Sequence, residues 1–548
     1  MPEPNTKTPL LAGKKPPVSR PKAHRRRSSY EASTYNSAGR SLSYSKKAQD
    51  EDTSIPGLSL WKILTLTVCM AGVQFTWTVE LSYGTPYLLS LDLSKELTAL
   101  VWLAGPLSGL LVQPLIGAFS DKCTSSLGKR RPFIIVAGLL TCLSMIGVAY
   151  AREIGYWFAK VAPGQDNIDK AAHANAIIVA VASFYFLDFT LNAVQAICRA
   201  LILDIPPLWQ QDVANAWSAR MSNTAMVIGY FVGFVDLVKY LPWLGDSQVK
   251  VFCLVSIVVF VITLAITCFT THEKVVEKKE DADLNQPWYS TFYYIWRAFR
   301  FLPKPIQTLC NTQFFAWMGW FPFLFYSTQW VSDIYFASHP PTTPDTPLDW
   351  AQGTRAGSFA LLCYSVVSVV AGLIIPAVAT KFSQVKLFSL LNIYTLSHIT
   401  VAVALMSSLF VKTVTAATVV LAIMGIPWAI VLWIPFSLVG EFVSYEDEKR
   451  QQLLASAPSS SNHGEEEELV QDEFDAGMIL GVHNMYIVFP QFAVAIVSSF
   501  IFAAADAIKE GEGKSMSSVT PVLVFGGLMA FIAAAFSRFI VRVTTASA

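Results

Sequence analysis

The chain has 548 residues, 53% of them hydrophobic and only 14% charged, with a mean hydropathy of +0.45 and a formal net charge of +1. Soluble domains are about one-quarter charged, so this composition excludes a water-soluble globular protein, and its near-neutral balance offers nothing to a nucleic acid. The eight cysteines follow no metal-ligand or disulfide spacing, so most are packing residues and no metal or cofactor is expected.

Residues 1–58 form a Ser- and Pro-rich tail with basic groups throughout, including Lys14, Lys15, Arg20, Arg25, Arg26 and Arg27. It lacks the apolar core of a signal peptide. A disordered cytoplasmic tail close to anionic lipid is expected. Twelve apolar stretches follow, each of a length suited to a membrane-spanning helix: 59–81, 97–119, 133–150, 174–203, 213–235, 249–269, 306–331, 355–379, 387–410, 414–439, 476–502 and 519–541. Segment 271–305 is charged and divides them six and six. The predicted organisation is therefore an N-terminal half at 59–270, a cytoplasmic linker, a C-terminal half at 306–541 and a short tail at 542–548. A Pro/Thr stretch, 339–347, falls on the outer side. An acidic insert, 446–472, falls on the inner side and is expected to be mobile. An even number of spans places both termini in the cytoplasm, and the Lys/Arg bias agrees apart from Arg152, Lys160 and Lys170 in an outer loop. The surface membrane is the expected location, with the vacuolar membrane as the rival.

Between spans two and three runs a short charged hairpin with Gly117, Asp121, Gly128, Arg130 and Arg131. The two glycines are expected to let the backbone turn closely, and Asp121 to pair with the basic cluster or accept backbone N–H groups. These five residues are candidates for a conformational role. Span four carries Asp188, Asn192, Gln195 and Arg199 at offsets of 4, 7 and 11. That spacing puts all four on one helix face over roughly 16 Å. An ionisable group inside a membrane costs on the order of 3 kcal/mol or more unless it is paired or wetted, so the face should border a polar cavity. A carboxyl group there can take and release a proton, while an arginine within reach competes for its charge. An internal Asp–Arg clamp that only holds helices together is the competing explanation.

Span one contributes Gln74, Trp77, Thr78 and Glu80, with Gly84 and Pro86 near its outer end. Glu80 lies about 120° from the Gln74 face on an ideal helix; it either serves a ligand or proton, or turns toward a neighbouring helix. Arg355 opens span eight, where it either faces the cavity or snorkels to the surface. Span seven is crowded with Trp317, Trp320, Phe321, Phe323, Phe325, Tyr326 and Trp330, read mainly as helix packing or an aromatic belt. Prolines 427, 435 and 490 imply kinks in spans ten and eleven. His483 is a weak candidate for a pH-sensitive hydrogen-bonding group.

The order Gly-x-x-x-Asp-Lys followed by Gly128-Lys-Arg-Arg131 resembles the loop between helices two and three of the major facilitator superfamily. More specifically, Gly72-Val-Gln-Phe75, Leu100-Val-Trp-Leu-Ala-Gly-Pro-Leu-Ser-Gly109, Arg130-Arg-Pro-Phe133, Leu187-Asp188, Cys198-Arg-Ala200, Arg355-Ala-Gly357 and Gly425-Ile-Pro427 resemble the plant-type sucrose/proton symporters. These belong to the glycoside–pentoside–hexuronide transporters. The resemblance implies an all-α integral membrane protein with the major facilitator fold, twelve helices and a cavity between two six-helix halves. It implies a carrier, not an enzyme, that takes a disaccharide and a proton across the bilayer. By the same resemblance Asp188 carries the proton and bonds the sugar, Gln74 and Asn192 contact the sugar, Arg199 is the charge partner of Asp188, and Arg355 is a further cavity arginine. Glu80 departs from the plant pattern, and together with the basic tail and acidic insert it looks fungal. That points to sucrose or maltose-type α-glucosides as substrates and leaves one or two proton sites open. The competing functions are a carrier for monosaccharides or other glycosides and a sugar sensor signalling through the tail. An ATP-driven mechanism lacks a site, since Gly513-Lys-Ser515 has Ile508 where a Walker loop needs its first glycine.

Overall fold

The computed structural model describes residues 57–121, 123–161, 167–207, 210–273, 302–340, 350–382, 384–442, 476–512 and 519–540. The basic tail up to residue 56, most of the linker, nearly all of the Pro/Thr stretch, the acidic insert and residues 541–548 lie outside them.

Twelve long helices make up the described chain. In order they are α1 (Leu60–Ser90), α2 (Lys95–Val101 continuing as Ala104–Asp121), α3 (Arg131–Ala149), α4 (Ile168–Asp204), α5 (Gln211–Phe234) and α6 (Gln248–Thr270), then α7 (Lys304–Ser338), α8 (Trp350–Lys381), α9 (Leu390–Met406), α10 (Val414–Val431), α11 (Ala476–Glu512) and α12 (Thr520–Ser537). Among the described residues, ten helical stretches are long and apolar enough to cross a membrane. The other two, α5 and α7, have 24 and 35 residues and ample length. Their hydropathy is lowered by Asn215, Arg220 and Asn223 in α5, and by three tryptophans, Gln313 and Gln329 in α7. Caps start several helices where the sequence turns polar: the Ser59, Ser94, Asn167 and Ser389 side chains each accept a backbone N–H of their helix's first turn.

The outer faces show why this bundle belongs in hydrocarbon. Leu139 and Ile178 are each 65% exposed and Phe500 72% exposed. At about 25 cal/mol per Å² of apolar surface, such faces are unfavourable in water and neutral in lipid. Inside, the N-terminal half packs around Phe75, Tyr83, Phe184 and Phe252 at one end and Met70, Ile134, Leu201 and Phe260 at the other. The span-seven aromatics are buried in one cluster of the C-terminal half, which also takes in Trp102 and Tyr230 of the N-terminal half. They act there as packing, as read from the sequence.

Two expectations are corrected. The outer loop after α3 contains a helix, Ala151–Val161. There the Gly155 position lies so close to the Ala172–Ala176 backbone that a Cβ has no room, and Arg152 Nη2 donates to the Ser90 carbonyl at 3.2 Å. In the hairpin between α2 and α3, Gly128 has φ +104°, whereas Gly117 lies inside α2 with open space where a Cβ would go. Only Gly128 serves the turn.

Candidate functional site

The polar stripe of α4 is a gradient of exposure along one face. Asp188 and Asn192 are buried, Gln195 is half-buried and Arg199 is exposed. The stripe therefore opens toward the α4 end that carries the charged hairpin and closes at Asp188. Its closed end is held by hydroxyl and amide hydrogen bonds. Ser108 Oγ donates to the Asp188 carbonyl at 3.1 Å, Asn192 Nδ2 to the same carbonyl at 2.9 Å, and Gln113 Nε2 to Asn192 Oδ1 at 2.8 Å. Asn192 is thus committed to α2 and to its own helix.

Asp188 does not meet Arg199, three turns away on the same face. Its carboxyl instead lies within hydrogen-bonding reach of the Glu80 carboxyl from α1. Glu80 is 2% and Asp188 3% exposed, and Glu80 Oε2 has no hydrogen-bond partner among the described residues. Gly105 of α2 allows a third group close by: a Cβ there would sit 3.4 Å from Gln491 Oε1 and 3.7 Å from Asp188 Oδ1. Gln491 lies on α11, so a residue of the second half stands close to Asp188 here. Its polar side chain after Pro490 was the available signal, but proline kinking masked it. Gln74 and Trp77 are half-buried on α1.

Arg355 is not beside these groups. Its Nη1 pairs with Asp236 Oδ2 at 2.9 Å and its Nε donates to the Phe234 carbonyl at 3.0 Å. It therefore ties α8 to the end of α5, across the two halves. Nearby, Thr85 Oγ1 donates to the Phe325 carbonyl at 2.7 Å, Trp102 Nε1 to Thr85 Oγ1 at 3.1 Å, and the Trp102 and Phe325 rings stack at 4.3 Å. These contacts join the two halves at this end.

The hairpin at the other end is braced within the N-terminal half. Arg130 Nε and Lys129 Nζ reach Asp204 Oδ2 at 2.8 and 2.9 Å, Arg130 also bonds Ser120, and its backbone N–H donates to Glu273 Oε2 at 2.9 Å. Arg131 Nη1 donates to the Cys268 carbonyl at 3.1 Å. The Asp121 side chain lies outside the described set. In the C-terminal half, Gln313 Nε2 and His483 Nε2 lie 3.2 Å apart, both buried; sequence reading had singled out the histidine without its partner.

No family model matches the chain. It is 30% identical to a general alpha-glucoside permease of Schizosaccharomyces pombe, over 88% of this chain and 93% of that protein. It is 26% identical to a sucrose transport protein of Oryza sativa subsp. japonica, over 80% and 87%. Among solved structures it is similar to a D-xylose-proton symporter, with a TM-score of 0.54, 12% identity and coverage of 88% of this chain and 99% of the other. A bacterial homologue of the human lysosomal transporter Spinster matches with the same TM-score, over 88% and 96%. These likenesses are to carriers, and the chain is an integral membrane transporter, not an enzyme. With two helical halves, a polar face ending in a buried carboxyl pair and this extent of identity, the chain belongs to the sucrose and α-glucoside transporter family of the major facilitator superfamily.

Proposed function

We propose that the chain is a symporter that imports a disaccharide, sucrose or a maltose-type α-glucoside, together with a proton by alternating access. The observation that carries this reading is the contact between Glu80 and Asp188 at the closed end of the polar stripe. Two carboxylates in contact inside a protein do not both stay ionised, so the pair retains a proton until its surroundings change. A protonated Asp188 carboxyl that donates to a sugar hydroxyl oxygen binds the sugar better than the ionised form, so proton and sugar occupancy rise together. Gln74 and Gln491 supply amides suited to sugar hydroxyls, Asn192 holds α4 against α2 behind them, and Arg199 gives the polar face a fixed positive charge. The proton is the coupling ion and needs no cofactor. A sodium ion would want several oxygen ligands, whereas Glu80 and Asp188 are held together by a shared proton.

The proposed setting is the plasma membrane with both termini cytoplasmic, so that the sealed end faces outward. The test is uptake of labelled sucrose and labelled maltose in transporter-deficient yeast, at acidic and neutral external pH, with and without a protonophore. Concentrative uptake of either sugar that collapses with the protonophore and is lost in Asp188→Asn is expected. Uptake indifferent to pH and protonophore would refute proton coupling. Competition by glucose where both disaccharides fail would move the substrate to a monosaccharide.

A further inference from the structure

The outer helix Ala151–Val161 is α3 carried past the end of its span. Tyr150 N–H donates to the Ile146 carbonyl and Ile154 N–H to the Tyr150 carbonyl, each at 2.9 Å, so the helical ladder crosses the junction. At about 100° per residue the outer helix has three faces. Ala151, Gly155 and Ala159 form a small buried face, laid on the α4 backbone near Ala172–Ala176. Arg152, Glu153 and Lys160 share a second, charged face with Tyr156. It is turned over the ends of other helices: Arg152 bonds the Ser90 carbonyl of α1, and Glu153 pairs with Lys250 of α6. The third face carries Ile154, Trp157, Phe158 and Val161, of which the last three are 58%, 49% and 61% exposed.

We propose that this third face is seated in the headgroup layer of the outer leaflet, with phospholipid as its occupant. In phase it continues the lipid-facing stripe of α3, where Val136, Leu139, Leu143 and Ile146 are 59%, 65%, 60% and 40% exposed. In depth, Trp157 lies about 39 Å along the helix path from Arg131. That is past a hydrocarbon core of about 30 Å and still within a bilayer of about 40–45 Å with its headgroups. In chemistry, Trp157 joins an apolar ring to an N–H donor, the combination enriched at membrane–water interfaces. The neighbouring turn repeats it. Tyr240 and Trp243 are 68% and 77% exposed just before Asp246, which Lys250 links to Glu153. The seat also accounts for basic residues on the outer side: Arg152 serves the protein, and Lys160, exposed near Trp157, serves lipid phosphates. Through Gly155 the lipid contact fixes the depth of α4, whose Asp188 lies about 18 Å beyond Ala176. The choice of leaflet rests on the orientation proposed above; the lipid contact does not.

The experiment photocrosslinks the full chain in yeast membranes. Trp157→benzoylphenylalanine and Phe158→benzoylphenylalanine probe the third face, and Tyr156→benzoylphenylalanine probes the charged face one residue away. Two probes on the third face keep the test alive should one variant fail to insert. After irradiation, phospholipid adducts weighed by mass spectrometry should be about fivefold or more abundant at 157 and 158 than at 156. Chain dimers at 157 and 158 in place of lipid adducts would give the face to a second copy and overturn the proposal. So would lipid adducts equal at all three positions, or absent from all. Tyr156→Cys and Phe158→Cys then report the side of the membrane, with an impermeant maleimide added to intact cells and labelling read above that of the parent. Tyr156→Cys should react about fivefold or more faster than Phe158→Cys, and equal rates would overturn the seat. Labelling of Tyr156→Cys only after the cells are permeabilised would overturn the leaflet and the orientation behind it, while lipid adducts at 157 and 158 would still establish the contact itself.

Discussion

The bond between Arg355 and the end of α5 gives the sharpest prediction, because a sugar-binding role and a latching role for this arginine differ in outcome. The ion pair with Asp236 spans 2.9 Å, but the two side chains are 30% and 36% exposed, so it is worth about 0.2–1 kcal/mol. The Nε bond to the Phe234 carbonyl, one of the last of α5, adds about 0.5–1 kcal/mol through the helix terminus. The latch thus favours the sealed arrangement by roughly 0.7–2 kcal/mol, a factor of about 3–30 in the equilibrium. Ser358, buried beside Gly233 just below it, reports opening. In a Ser358→Cys background, Arg355→Ala should raise labelling by an impermeant thiol reagent by that factor. Asp236→Asn should reproduce a part of the rise, because it removes the ion pair and leaves the carbonyl bond. If Arg355 were a sugar ligand, Asp236→Asn would leave labelling and sugar affinity unchanged. An unaltered labelling rate in both variants would refute the latch.

Three further outcomes follow from packing and charge. A Cβ on Gly425 would fall on the Tyr364 carbonyl and lie 2.7 Å from Ser368 N, so Gly425→Ala should push α8 and α10 apart at a cost of about 1–3 kcal/mol, read as a lower thermal midpoint in detergent. Gly128→Ala meets both a left-handed φ and the Glu273 carboxylate. It should cost about 1–3 kcal/mol and release the Arg130 N–H, seen as faster proteolysis of the hairpin. Asp246 is held below the usual carboxylate range by its hydrogen bond from Lys250. A depressed folded-state value contributes stability above the unfolded pKa and loses it as pH falls through the folded one. Acidification below the ordinary Asp range should therefore loosen the sealed end, and Lys250→Met should flatten that part of the stability–pH profile measured by thermal scanning.

The span pattern was legible because hydrocarbon imposes a one-dimensional rule: about 20 apolar residues per crossing, whatever the neighbours. Even α5 and α7, polar enough to blur that rule, were found from their length and flanks. The α4 stripe was equally legible, since helical periodicity alone puts Asp188 and Arg199 on one face. Periodicity also misled. Sharing a face three turns apart suggested a charge pair, yet ionic contact needs groups within about 4 Å, and the carboxyl that meets Asp188 comes from α1. Glu80 sits on no obvious stripe of its own helix, so its partner depended on how α1 packs against α4. Arg355 shows the same limit, because its neighbour Asp236 lies 119 residues away in another half. Gln491 became visible only through the glycine that lets α2 approach it. The sequence by itself determined the membrane, the helices and the polar face, all of which follow from local spacing and solvent. Tertiary structure alone decided which polar groups touch, because contacts between helices depend on rotations and crossings that no single helix encodes.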